Sequence, residues 1–286
     1  MKLDKIVFPV DFSRRCESIA PAVAAIARHF HAEVMLVHAA DFPLPAIGVG
    51  DGFPETIDLE PLRIQAVQQL DGFGADVFSG LVVRRTVKLS RPVDAILEEA
   101  PTREGLIMLP THGHTRFRQL LLGSVTAGVL HDAQCPVWTS AHAEDGGKVP
   151  TDYRSVLCAV DLSEKSAGVL RFADEFGRKF GARIRVVHCV QGIDPRFPSG
   201  AAENFHRFLV DRAREDCPKL VRDAGLSIEC EILEGYPLAE AVAEAARRQD
   251  ADVTIIGRGV AKGLLGRLRT TANDLIRRSP CPVISV

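Results

Sequence analysis

The chain repeats one sequence pattern at an interval of about half its length. Three segments of the first half recur in the same order in the second: 5–13 in 155–163, 33–38 in 183–188, and 135–137 in 281–283. The offset is 150 residues at the first match and 146 at the last, so the order is kept while the spacing drifts. This self-similarity indicates a duplicated domain and constrains the fold to two similar units.

The length supports two domains of ordinary size. A chain of 286 residues is long for a single small core. Between the copies, residues 141–150 are polar and contain two glycines and a proline, the composition of a linker. We therefore predict a first domain over residues 1–142, a linker over 143–152 and a second domain over 153–286.

Composition and charge exclude several classes of protein. Hydrophobic residues make up 46% of the chain and charged residues 25%, a globular balance. No run approaches the roughly 18 apolar residues of a membrane span, and the first residues lack the apolar segment of a secretion signal. A net charge of −2 creates no field that attracts nucleic acid or an anionic membrane. We expect a cytoplasmic protein that binds neither.

The cysteine content also agrees with the expected cytoplasmic location. There are seven of them, they form no close pair in the sequence, and their odd number leaves at least one outside any disulfide within the chain. We expect reduced thiols that pack mostly as small apolar side chains.

In both halves, short apolar runs alternate with longer stretches of helical periodicity, as in a parallel sheet covered by helices. The predicted strands are 4–10, 33–38, 81–88, 105–110 and 135–140 in the first half, and 155–160, 183–188, 228–233, 252–257 and 282–286 in the second. The pattern predicts an α/β protein with two tandem, doubly wound, five-stranded domains.

A helix follows the first strand of each half. The two predicted apolar faces consist of Ile19, Val23, Ile26, Ala27 and Phe30 in the first half, and of Val169, Ala173, Phe176 and Phe180 in the second. Pro21 is expected in the first turns of its helix or at a kink, and Gly181 is expected to end the second helix.

The residues that carry chemistry follow the strands. In an open parallel sheet, ligands bind beyond the carboxyl ends of the strands. Asp11 lies there, as does Asp161 in the repeat, and a carboxylate in that place accepts hydrogen bonds from sugar hydroxyls. The alternative is that Asp-Phe-Ser only caps the helix that follows.

A glycine-containing loop follows the fourth predicted strand. Gly113 and Gly123 are separated by nine residues, and Ser124 stands at a helix start. Gly113 would let the backbone approach a ligand, while Gly123 and Ser124 would offer N–H groups and a hydroxyl to an anion. The alternative is a loop whose glycines make turns and whose serine caps a helix.

Taken together, these motifs resemble a universal stress protein domain, and the second half resembles a divergent copy. The matching segments are Val10-Asp11, Val37-His38, Thr111-His112-Gly113, Gly123-Ser124-Val125-Thr126 and Cys135-Pro136-Val137. The resemblance implies a tandem protein with a five-stranded α/β fold in each half. It also implies antiparallel pairing of the last strands, 135–140 and 281–286, which would make the chain an internal pseudo-dimer able to dimerise again.

The resemblance further implies a site for ATP, or for AMP or ADP, in the first half. Asp11 would take the ribose, and Val37 would meet the adenine through its backbone. Gly113, Gly123, Ser124 and Val125 would hold phosphates, with Thr126 nearby. The rest of the expected site is Val10, Pro110, Thr111 and His112, and Mg²⁺ would accompany the phosphates.

Two departures from the family pattern weaken this expectation. Pro110 replaces the first loop glycine, and proline has no N–H to offer. In the second half, Val260 and Thr270 replace glycines, although Arg258, Lys262, Arg267 and Arg269 could hold a phosphate by charge. A solvated basic loop is the alternative there, so we expect one competent nucleotide site, in the first half.

Three functions remain open at this point. The expected one is a nucleotide-binding stress sensor or regulator whose catalysis, if any, is slow ATP hydrolysis. An interaction protein of the same fold without nucleotide binding is the main alternative. A nucleotidylyltransferase is the third, because Thr111-His112-Gly113-His114 matches its T-x-G-H signature. That signature belongs after the first strand, however, and here it follows the fourth.

Two further features carry expectations of their own. The Pro- and Gly-rich segment Asp41–Glu60 follows the second strand and is either a lid, a partner surface or a mobile loop. His38 and His188 end inner strands and are either pH-sensitive or bonded to backbone.

Overall fold

The computed structural model describes residues 3–40, 60–101, 104–111, 122–140, 149–192, 200–258 and 267–286. These residues form two compact units. The first, here called the N-terminal unit, lies within Lys2–Thr115 and Gly123–Cys135, and the second, the C-terminal unit, lies within Pro136–Val286. Among the described helices, none is both long enough and apolar enough to cross a membrane.

The N-terminal unit is a parallel sheet with helices around it. Its strands are β1 Lys5–Pro9, β2 Glu33–Ala39, β3 Val83–Lys88 and β4 Gly105–Pro110, in the order β3-β2-β1-β4. Its helices are α1 Arg14–Phe30, α2 Glu60–Gly72, α3 Pro92–Glu99 and α4 Ser124–Asp132. The central strands β1 and β4 are almost wholly buried, as the continuous apolar runs predict.

The sequence accounts for the start, face and end of α1. The Ser13 hydroxyl accepts a hydrogen bond from the Cys16 amide, which caps the helix. Of the predicted apolar face, Ile19, Val23, Ile26 and Ala27 are fully buried, confirming the helical period. Pro21 lies inside the helix rather than in its first turn, and the left-handed residue His31 ends it.

The described residues of the C-terminal unit form six strands. They are β5 Val137–Ser140, β6 Ser155–Val160, β7 Arg183–Gln191, β8 Cys230–Gly235, β9 Val253–Ile256 and β10 Val283–Ser285, in the order β5-β10-β9-β6-β7-β8. Its helices are α5 Ser166–Phe180, α6 Gly200–Asp223, α7 Leu238–Arg248 and α8 Arg267–Arg278. Gly181, with φ +64°, ends α5 as predicted.

The last strands of the two repeats pair with each other. β5 and β10 run antiparallel, with Trp138 opposite Ile284, and both side chains are fully buried. The expected antiparallel pairing is therefore confirmed. β5, the last strand of the first repeat in sequence, thus belongs to the C-terminal compact unit. Its pairing with β10 covers an edge that would otherwise be open to association.

The expectation of reduced cysteines is wrong for one pair. Cys217 in α6 and Cys230 in β8 form a disulfide, with their Cα atoms 6.5 Å apart. The chain separation of 13 residues did not suggest a pair, because only the packing of α6 on β8 brings them together. The other five cysteines form no disulfide among the described residues and are buried, as expected.

Candidate functional site

A cavity of about 270 Å³ lies at the carboxyl ends of the strands of the N-terminal unit. The residues after β1, the end of β2, the end of β4 and the first turn of α4 form its walls. Val10, Ile96 and Leu109 contribute apolar surface, and Asp11 is its carboxylate. This is the edge at which ligands of open parallel sheets bind.

The chain leaves β1 through a tight turn built on Asp11. The Ser13 amide donates to the Asp11 Oδ1 at 3.0 Å, and Phe12 between them has φ +57°. Ser13, not Asp11, then caps α1. Asp11 therefore shapes the turn and also faces the cavity, so the two interpretations of this residue are compatible.

A cysteine that the sequence analysis did not connect with the site contacts this carboxylate. The Cys16 thiol donates to the Asp11 Oδ1 at 2.9 Å and is almost fully buried, yet it lines the cavity. Burial and the nearby Asp11 charge raise the pKa of the Cys16 thiol far above its usual value, so it remains protonated. The sequence did hold a signal, since Ser166 follows Asp161 at the same spacing.

The end of β2 places two side chains at the cavity. The Val37 carbonyl accepts the Val10 amide at 2.8 Å, so it is already part of the sheet. The His38 Nδ1–H donates to the Val10 carbonyl at 2.7 Å. His188 repeats this bond to the Val160 carbonyl at 2.8 Å, which confirms the backbone-bonded interpretation of both histidines.

Ala39 was not among the expected site residues, although it lines the same cavity. In a parallel strand, alternate residues direct their backbone polar groups to the same side, so Ala39 directs them as Val37 does. β1 ends at Pro9, opposite Val37, and Ala39 lies beyond that last pair. Its backbone is thus better placed than that of Val37 to meet a ligand.

The first turn of α4 forms part of the cavity wall. The Ala127 amide donates to the Gly123 carbonyl at 2.9 Å, so the amides of Ser124, Val125 and Thr126 precede the first bond within the helix. All three residues line the cavity. Amides at the start of a helix and the positive end of the helix dipole together favour a negatively charged group.

Side-chain and backbone bonds fix this turn against β4. The Gly123 amide donates to the Thr111 carbonyl at 2.9 Å, and the Thr126 hydroxyl donates to the Pro110 carbonyl at 3.0 Å. Gly123 is therefore engaged through its amide and caps α4, with φ −59°. Pro110 lacks an amide proton but supports α4 through its carbonyl.

Some expected site residues fall outside the described part of the chain. These are His112 and Gly113, together with residues 41–59 of the suggested lid. Among the described residues that line the cavity, none is lysine or arginine. Likewise, no group of three or more potential metal ligands occurs within the described ranges.

The C-terminal unit repeats the turn but not its surroundings. The Ser163 amide and the Ser166 hydroxyl donate to the Asp161 Oδ1 at 3.0 and 2.8 Å, and Leu162 has φ +59°. Burial opposes ionisation of Asp161, but these hydrogen bonds outweigh it and lower its pKa. Asp161 is exposed, whereas Asp11 is half-buried.

Comparison with known proteins agrees with this architecture. The model of the universal stress protein family matches residues 2–140 and again residues 152–286. The chain therefore belongs to the universal stress protein family, with two tandem domains.

Individual relatives cover one domain or the whole chain. Universal stress protein MJ0531 of Methanocaldococcus jannaschii is 30% identical over 145 residues, which are 47% of this chain and 82% of that protein. A universal stress protein structure from Archaeoglobus fulgidus covers 99% of this chain and 95% of its own, with a TM-score of 0.69 at 19% identity. A putative universal stress protein structure from Pseudomonas aeruginosa covers 99% and 93%, with a TM-score of 0.63 at 18% identity. These two structures support the fold.

Proposed function

We propose that the N-terminal unit binds ATP or a related adenine nucleotide, and that the chain acts as a stress-response sensor or regulator. One observation carries the proposal: Asp11 and the residues of the first turn of α4 line the same cavity. A nucleotide needs both, because its sugar offers hydroxyl donors and its phosphates need N–H donors.

Each part of the nucleotide has a candidate partner. The Asp11 carboxylate accepts hydrogen bonds from the ribose hydroxyls, and the amides of Ser124 to Thr126 donate hydrogen bonds to a phosphate. The base lies against the apolar wall formed by Val10, Ile96 and Leu109, with the backbone of Ala39 at its edge. The family resemblance implied Val37 for that last contact, and the geometry favours Ala39.

Pro110 weakens this site without removing it. A proline at the end of β4 cannot donate an amide to the ligand. The amides of α4 are unaffected, and the Pro110 carbonyl holds Thr126 at 3.0 Å. We expect an affinity below that of a site with an additional amide at this point.

Mg²⁺ would be bound through the phosphates of the nucleotide rather than by the protein alone. Hard cations prefer carboxylate oxygens, and among the described lining residues Asp11 is the single carboxylate. Its Oδ1 already accepts two hydrogen bonds within the protein. Any hydrolysis would be slow, because this carboxylate accepts hydrogen bonds from the protein and the sugar and is not available to activate a water molecule.

Native mass spectrometry with ATP and Mg²⁺ tests the proposal by counting nucleotides per chain. We expect one nucleotide on the wild type and a strong loss in Ser124→Pro. Proline is well tolerated at the first position of a helix, and the extended backbone of Gly123 suits a following proline, so α4 should persist. The substitution removes one amide donor from the cavity.

Ser124→Ala is the matched control, because it removes the hydroxyl but keeps the amide. We expect its occupancy to stay near that of the wild type. Equal binding by the wild type and Ser124→Pro would contradict a phosphate site at α4. No binding by the wild type at millimolar ATP would favour an interaction protein of this fold.

A further inference from the structure

We propose that Cys16 is a positioning residue of the N-terminal site, whose thiol holds the Asp11 carboxylate in the orientation that receives the ribose hydroxyls. This inference rests on the proposed nucleotide function. It assigns a role to a buried thiol that otherwise looks like a small apolar side chain in α1.

Two donors from different places meet on one carboxylate oxygen. The Ser13 amide approaches the Asp11 Oδ1 at 3.0 Å from the turn, and the Cys16 thiol approaches it at 2.9 Å from the first turn of α1. A single donor would leave the carboxylate able to rotate about its last bond. Two donors in different directions restrict that rotation and so orient the whole group.

The thiol can act as a donor because it stays protonated. Its surroundings are buried, and the facing Asp11 is itself negatively charged, so ionisation of Cys16 is opposed from both sides. Among the described residues, the other acceptor near the thiol is the Pro9 carbonyl, which lies farther away at 3.5 Å. A hydrogen bond to a charged oxygen is also the stronger of the two.

The C-terminal unit makes the equivalent hydrogen bond with a different donor atom. There Ser166 replaces Cys16, and its hydroxyl donates to the Asp161 Oδ1 at 2.8 Å. The turn angles agree as well, with φ +57° at Phe12 and +59° at Leu162. Cysteine and serine are close in shape and differ mainly in polarity, and each places a donor on the Oδ1 of its aspartate.

The test compares ATP with 2′,3′-dideoxy-ATP, which lacks the hydroxyls that Asp11 would receive. Affinities of the wild type, Cys16→Ala, Cys16→Val and Cys16→Ser are measured by isothermal titration calorimetry. We expect Cys16→Ala and Cys16→Val to bind ATP about tenfold more weakly, with less than about a twofold change for the dideoxy nucleotide. Cys16→Ser, which copies Ser166, should recover most of the affinity for ATP.

The variants separate positioning from packing. Valine fills the space of the thiol but has no donor. Cys16→Val therefore tests the role of the donor even if Cys16→Ala fails to fold. Ser166→Ala is the matched control, because it removes the equivalent bond in the other unit and should leave ATP binding within about twofold.

The outcomes distinguish this inference from the proposed function. Equal weakening for both nucleotides, or none for either, overturns the positioning role while nucleotide binding stands. A serine variant as weak as the alanine variant also overturns it. A wild type that binds neither nucleotide overturns the proposed function and this inference with it.

Discussion

The two units start their first helices in the same way but expose the carboxylate of that turn differently. Asp11 and Asp161 both accept the amide two residues later at 3.0 Å, and both accept a second donor five residues later. Asp11 lines a cavity with the first turn of α4, whereas Asp161 is exposed.

This difference separates a folding requirement from a binding requirement. The aspartate turn reverses the chain after the first strand and leads it into a helix, so both repeats need it whether or not they bind a ligand. A recurring aspartate is therefore weak support for nucleotide binding. The amides at the start of α4, beside a half-buried carboxylate, are the stronger support.

A substitution at the start of β4 has the largest expected effect on stability, and the matching position before β9 provides the contrast. A Cβ on Gly105 would lie 2.5 Å from the Lys5 carbonyl oxygen and 2.2 Å from Pro101, so Gly105→Ala forces backbone apart. We expect a loss of about 3 kcal/mol of stability, measured by urea unfolding. At the matching position, Asp252 instead accepts the Arg154 and Ser155 amides at 2.7 and 2.9 Å.

Asp252→Ala sharpens this contrast between the two strand starts. It leaves two amides without their carboxylate, and a loss smaller than that of Gly105→Ala is expected. A Gly105→Ala protein as stable as the wild type would show that β1 and β4 need no close approach.

The disulfide is the next largest difference. Cys217→Ser with Cys230→Ser should destabilise the C-terminal unit by about 2 kcal/mol, because the open chain gains freedom when unfolded. The single tryptophan, Trp138, is buried in this unit, so its fluorescence follows unfolding there. A reductant should lower the wild-type midpoint and leave that of the double variant in place. A wild-type midpoint insensitive to reductant would contradict the expected contribution.

Matched aspartate variants test the comparison directly. Asp11→Ala and Asp161→Ala should each cost about 1 kcal/mol of stability, since each removes the acceptor of a turn. Only Asp11→Ala should weaken ATP binding, by about tenfold or more, as measured by calorimetry. Equal loss of affinity in both variants would place a second nucleotide site in the C-terminal unit.

The smallest expected effect is the pH dependence of the stability contributed by Asp161. Because the folded pKa of Asp161 is below its usual 3.8, the carboxylate stabilises the fold fully above about pH 4 and loses that contribution as pH falls through the folded pKa. The stability gap between wild type and Asp161→Asn should shrink from pH 7 to pH 3. Its size should be below about 0.5 kcal/mol, since the group is exposed. A gap that widens in acid would contradict this sign.

Local pattern sufficed for much of the fold. The repeat, the α/β class and the places of the strands follow from apolar periodicity, since burial on both faces demands continuous apolar runs. The helix end at Gly181 follows from its conformational freedom at φ +64°. The candidate site positions Asp11 and Ser124 could be predicted because they stand immediately after a strand or at a helix start, where ligands of such sheets bind. Val125 was implied by the family resemblance.

Only the tertiary structure decided which of these residues meet. The thiol of Cys16 reaches Asp11 because the turn folds back on α1, and Cys217 meets Cys230 because α6 packs on β8. Ala39, rather than Val37, lies past the end of β1 because the pairing register sets where that strand stops. The periodicity of the sequence indicates which face of a helix or strand a side chain occupies. Its neighbours are determined by strand register and by packing between segments that are distant in the sequence.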